Sequence, residues 1–101
     1  PLSMLTISQI LIKMIVLKPN GVFNLGSQDG LSKSDFAFFF AKKLNLEIHN
    51  PIVTSIEDVN FIKSYRPKDM RMNVSKIENC LDFKLPNLKQ EIKKTVEDYT
   101  K

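Results

Sequence analysis

The chain has 101 residues, of which 43% are hydrophobic and 26% charged, a balance that predicts one compact domain and excludes disordered, collagenous and disulfide-scaffold classes. Fifteen Lys and Arg against eleven Asp and Glu give a formal charge of +4, a mild pointer to an acidic or phosphorylated partner. A single cysteine and a single histidine exclude an internal disulfide and a zinc cluster.

The elements follow in chain order. Ser3 or Thr6 is placed to cap a first helix running to about Leu17. Ile7, Ile10, Leu11, Ile12, Met14, Ile15 and Val16 make it apolar nearly all round, so protein is expected to cover most of it. Met4–Leu17 falls short of the roughly 20 apolar residues of a membrane span, carries Thr6, Ser8, Gln9 and Lys13, and lacks the flanks of a signal peptide. A cytoplasmic location and no membrane partner are therefore expected. Lys18-Pro19-Asn20-Gly21 stops the helix, and Val22–Leu25, bounded by Gly21 and Gly26, reads as a short strand before a Gly26–Gly30 loop.

Ser32 with Asp35 three residues on resembles a capping box. It opens a helix through Phe36, Phe38, Phe39, Phe40 and Leu44, with Lys42 and Lys43 in the last turn. Three consecutive phenylalanines require apolar contact over a wide arc. Ile52–Ile56 reads as a second strand, the stretch from Glu57 to Met70 as irregular chain broken by Pro67, and Met70–Val74 as a short extended piece. A short helix is expected over Ser75–Leu81, with Cys80 as a small buried thiol. A last helix opens at the Asn87/Gln90 capping pair and aligns Leu88, Ile92, Val96 and Tyr99 in one stripe.

Most chemical motifs fail on spacing. A strand, glycine loop and helix from Val22 to Leu44 have the order of a phosphate-cradling unit, but Gly21, Gly26 and Gly30 do not form G-x-G-x-x-G and no P-loop lysine follows. By themselves these glycines read as turn residues. The adjacent carboxylates Glu57-Asp58 and Glu97-Asp98 diverge and belong to the surface, as does His49 before Asn50-Pro51. No G-x-S-x-G elbow is present, and Tyr65 is followed four residues on by Asp69, so there is no Tyr-x-x-x-Lys dyad.

Charge is more informative. Between Phe61 and Lys76 lie Lys63, Arg66, Lys68, Arg71 and Lys76 against Asp69 alone, while the other residues balance ten basic against ten acidic side chains. The whole formal excess, and both arginines, sit in this segment. A planar guanidinium suits bidentate phosphate contact, so an anion-binding loop ahead of the Ser75 helix is expected.

Gly21-Val22-Phe23-Asn24-Leu25-Gly26-Ser27 with Gly30 and Ser32, Arg66-Pro67-Lys68-Asp69-Met70-Arg71-Met72-Asn73-Val74-Ser75-Lys76, and Leu81–Pro86 before a final helix occur in an order that resembles the end of extended short-chain dehydrogenases/reductases acting on nucleotide sugars. Within that family the likeness is greatest to the dTDP-4-dehydrorhamnose reductase branch. It implies an α/β fold: the C-terminal part of an extended Rossmann-type reductase, with about four helices and two or three short strands. Residues 1–101 would form a single substrate-binding portion, with the N-terminal dinucleotide-binding domain as its missing partner. The Gly-rich motif and the catalytic Tyr-x-x-x-Lys of that domain are absent here, so no catalytic residue is assigned to this chain.

The resemblance also implies a ligand, a nucleotide diphosphate sugar. Arg66 matches the family arginine that approaches the diphosphate, and Asp69 matches a position that contacts the ribose in the epimerase branch. NAD(P)H is the cofactor implied for the complete enzyme, exchanging hydride while Tyr moves the proton of the sugar oxygen, and this segment is expected to bind none. A nucleotide-sugar epimerase or dehydratase, a small basic nucleic-acid module and a non-catalytic regulatory relative are the alternatives. Homo-oligomers through exposed apolar faces, aggregation or strand exchange are expected of the chain alone.

Overall fold

Residues 1–101 are described by a computed structural model. It contains α1 (Met4–Leu17), α2 (Lys33–Lys43), a single 3-10 turn at Ile56–Asp58, α3 (Ser75–Leu81) and α4 (Leu88–Tyr99), and no strand. The expected α/β class is therefore corrected to an all-helical chain. The four helices stand where the sequence puts them, but Val22–Leu25, Ile52–Ile56 and Met70–Val74 form no ladder.

The physical reason is the lack of partners. Strand propensity expresses packing and pairing rather than an intrinsic preference, and two or three isolated short segments have no sheet to join. In Val22–Leu25 the alternation is genuine, since Phe23 and Leu25 pack on the core while Val22 and Asn24 face solvent, yet no neighbouring backbone completes it. Ile52 and Val53 are exposed and contribute to no core at all.

Local chemistry sets the helix ends. Ser3 Oγ accepts from Thr6 N at 3.1 Å to open α1, and Ser32 Oγ accepts from Asp35 N at 3.0 Å to open α2. The expected Asn87/Gln90 capping box is complete on α4, with both reciprocal bonds at 2.9 Å. At the end of α2, Asn45 takes a φ of 55° while Leu46 N donates to Ala41 O and Asn45 N to Lys42 O, a Schellman closure.

Two apolar clusters hold the chain. One gathers Ile10, Val74, Ile77 and Leu85, with Phe23, Leu25 and Phe83 against it. The other lies between α2 and α4, where Leu88, Ile92 and Val96 receive Phe36, Phe39, Phe40 and Leu44. These clusters are small: eleven of 101 residues are buried. A radius of gyration of 16.5 Å, against about 13 Å for a compact chain of this length, and extents of 48 × 39 × 17 Å describe an open slab.

The expectation that protein covers most of α1 is also corrected. Only Thr6 and Ile10 of this helix are buried, while Met4, Ile12, Ile15 and Val16 remain largely exposed. Cys80 is half-buried rather than enclosed. No helix is long and apolar enough to cross a membrane.

Candidate functional site

The Gly26–Lys33 loop and the Arg66–Met72 segment come together across an open cleft of about 990 Å³. The loop is pinned from behind. Asp29 Oδ1 accepts from Leu88 N at 2.7 Å, Gln28 N donates to Pro86 O at 3.2 Å, and Gln28 Nε2 donates to Glu78 Oε1 at 2.8 Å. Glu78 is buried and also accepts from Leu85 N at 2.8 Å and from Lys84 Nζ at 3.1 Å. These bonds, the Gln28 amide foremost, hold its carboxyl below the usual carboxylate range.

Gly26 and Gly30 owe their place to close approach rather than to turn conformation. Neither has a positive φ; only Gly21 does, at 108°. A Cβ at Gly26 would lie 3.0 Å from Met72 Cε, and one at Gly30 would lie 3.0 Å from Arg71 Cγ. The loop that failed as a nucleotide fingerprint is thus the floor on which the basic segment rests.

Within that segment the cations are not equivalent. Arg71 Nε donates to Asp69 Oδ1 at 2.9 Å, its Nη2 to Asp69 Oδ2 and its backbone N–H to Oδ1 at 3.0 Å. This fork, the guanidinium first and the backbone N–H second, depresses the Asp69 carboxyl to about 2. Lys68 is drawn to Glu57 at 2.6 Å, which lowers the Glu57 carboxyl and raises the Lys68 ammonium. Lys76 turns away, donating to Val22 O at 2.8 Å with its ammonium 4.7 Å from the Phe23 ring centroid. Arg66 is exposed and enters no ion pair.

The two residues singled out from the sequence, Arg66 and Asp69, therefore line the same cleft with different roles. Arg66 presents a free guanidinium, whereas both Asp69 oxygens are engaged by Arg71. Lys33, in the first turn of α2, also lines the cleft, and the charge map does not mark it because it lies outside the basic segment. Tyr65, weighed from the sequence only as half of a Tyr-x-x-x-Lys dyad, stands beside Arg66 and is 90% exposed. The adjacency of an aromatic and an arginine was the available signal.

The lining sets Lys33, Arg66, Lys68 and Arg71 against Asp29, Asp35 and Asp69. A margin of one positive charge suits one compact anion placed by geometry; it is a poor track for a polyanion, whose binding rests on many phosphate contacts. No matching family model, curated protein or solved structure was found for this chain.

Proposed function

We propose that the chain binds the diphosphate of a nucleotide sugar through Arg66 and serves as the substrate-binding portion of an NAD(P)-dependent sugar-nucleotide reductase. The observation that carries this reading is the one uncommitted arginine, held at a cleft whose other wall is a glycine loop pinned to α3 and α4. A guanidinium can offer two parallel N–H groups to one phosphate, and Lys33 adds a point charge to the same cleft. The ordered motifs described above supply the nucleotide-sugar assignment, and the small charge margin weighs against a nucleic-acid module.

Hydride transfer is not given to these residues. Gly21, Gly26 and Gly30 have the wrong spacing for a dinucleotide, no strand leads into their loop, and no Tyr-x-x-x-Lys is present. The role of this chain is to fix the diphosphate and so place the sugar carbon for chemistry supplied elsewhere.

Titration calorimetry of the full chain with thymidine diphosphate glucose tests the reading. Arg66→Ala is expected to weaken binding at least about tenfold, in line with a charge-assisted bidentate contact. Equal affinity of the wild-type chain and Arg66→Ala, or no binding by the wild-type chain at low salt, would overturn it.

A further inference from the structure

Arg66 faces two clefts. Beyond the large one lies a smaller cleft of about 370 Å³ bounded by Ile56, Ile62 and Tyr65, and Ile56, Arg66 and Lys68 line both. Arg66 therefore stands where the two clefts adjoin. Apolar side chains line both, but an aromatic ring lines only the small one. The large cleft offers hydrogen-bonding groups suited to hydroxyls, among them Ser32, Asp29 and Asp35. The small one offers an aromatic ring and two isoleucines.

Resting on the diphosphate reading above, we propose that the small cleft takes the nucleoside end, with the Tyr65 ring as a stacking platform for the base, and that the large cleft takes the sugar. Tyr65 is among the most exposed large side chains of the chain, so its ring is free to receive a base. Stacking of a base on an aromatic ring is sequence-tolerant and strong enough to decide which end of the ligand lies on this side. Ile56 and Ile62 add apolar contact at the edge of the base. Glu57, which also borders this cleft, is already paired with Lys68.

The composition supplies a direct probe. The chain has no tryptophan and two tyrosines, Tyr65 and Tyr99. Tyr99 is exposed near the end of α4 and lines neither cleft. In Tyr99→Phe, tyrosine emission reports Tyr65 alone, and its lifetime is read in the presence of thymidine diphosphate or inorganic pyrophosphate. Thymidine diphosphate is expected to shorten the lifetime and pyrophosphate to leave it unchanged. Tyr65→Ala is expected to weaken thymidine diphosphate about tenfold while leaving pyrophosphate affinity within twofold. Binding of thymidine diphosphate that depends on Arg66 but leaves the Tyr65 lifetime and the Tyr65→Ala affinity unchanged would overturn this placement and spare the diphosphate reading. Failure of both probes to bind would overturn both.

Discussion

Thr6 and Glu91, 85 residues apart in sequence, meet side chain to side chain: Thr6 Oγ1 donates to Glu91 Oε1 at 2.8 Å, while Ser3 N donates to Oε2 at 2.6 Å. Both Thr6 and Glu91 are buried. One carboxylate thus lies at the N-terminus of α1 and in the first turn of α4, where both helix dipoles favour negative charge. It also ties the Ile10 cluster to the Leu88 cluster. Thr6→Val keeps the side-chain shape but removes the donor, and is expected to cost about 1–3 kcal/mol, read as a fall in Tm of about 4–8 °C per kcal/mol. An unchanged Tm would mean that the two clusters are not coupled through this pair.

Glu78 gives the fold a defined acid limit. Its folded carboxyl titrates below its unfolded value of 4.5 because Gln28, Leu85 and Lys84 bond the charged form. A depressed carboxylate contributes stability that is present above the unfolded value and lost as pH falls through the folded one. Thermal unfolding followed between pH 6 and 3 is therefore expected to show Tm falling below about pH 4.5, more steeply in the wild-type chain than in Glu78→Gln. Parallel curves would show that the carboxylate is not held by these donors. Asp69, held by Arg71 at about 2 against an unfolded value of 3.8, adds to the fall at the acid end of this range, but it does so equally in both chains and cancels in the comparison with Glu78→Gln.

Asp69→Asn separates two roles for this residue. If Asp69 mainly restrains Arg71, as its hydrogen bonds indicate, the substitution releases a second guanidinium and removes a negative charge from the cleft. Removing one charge at about 6 Å in water alters an anion's binding by roughly 0.7 kcal/mol, about threefold. Pyrophosphate is expected to bind Asp69→Asn about threefold more tightly, with the gain shrinking as salt is raised. A loss of thymidine diphosphate affinity with no change for pyrophosphate would instead support the ribose contact that the family likeness implies.

What was legible in the sequence follows the range of the interactions. Ser32 with Asp35 and Asn87 with Gln90 act over three residues: the second pair closes the full box, while in the first Ser32 caps Asp35 N and the Asp35 carboxylate meets the Ser32 hydroxyl instead of its backbone N–H. The i, i+4 stripe of α4 is buried at Leu88, Ile92 and Val96, while Tyr99 at its end is exposed. The strands depended on distant ladders that nothing local could report. Three consecutive phenylalanines call for a wide apolar arc, yet Phe38 is partly exposed and the Phe39 ring is approached by Lys43 and Lys89, so cations complete what apolar neighbours do not. In the site, local charge density identified the basic segment, but only the fold distinguishes free Arg66 from Arg71. The Asp69-x-Arg71 spacing was visible; the engagement of both carboxylate oxygens was not.

The exposed face of α1 predicts how the isolated chain behaves. At 100° per residue, Leu11, Met4, Ile15, Ile12, Leu5 and Val16 fall within an arc of about 140°, interrupted only by Ser8. All six are at least 47% exposed. Burying such side chains yields about 1.5–3 kcal/mol each, so the stripe represents roughly 10 kcal/mol, comparable with the 4–15 kcal/mol that association costs in lost freedom. The balance places self-association in the accessible range of concentration rather than at either extreme. Light scattering with reductant present, to silence Cys80, is expected to show mass rising with concentration. Ile12→Glu with Ile15→Lys should lower that mass without loss of helical circular dichroism, because neither side chain supports the core. Exchange of strands is no longer expected, since the chain has none. A wild-type chain that stays monomeric at millimolar concentration would show that this stripe tolerates water and does not drive association.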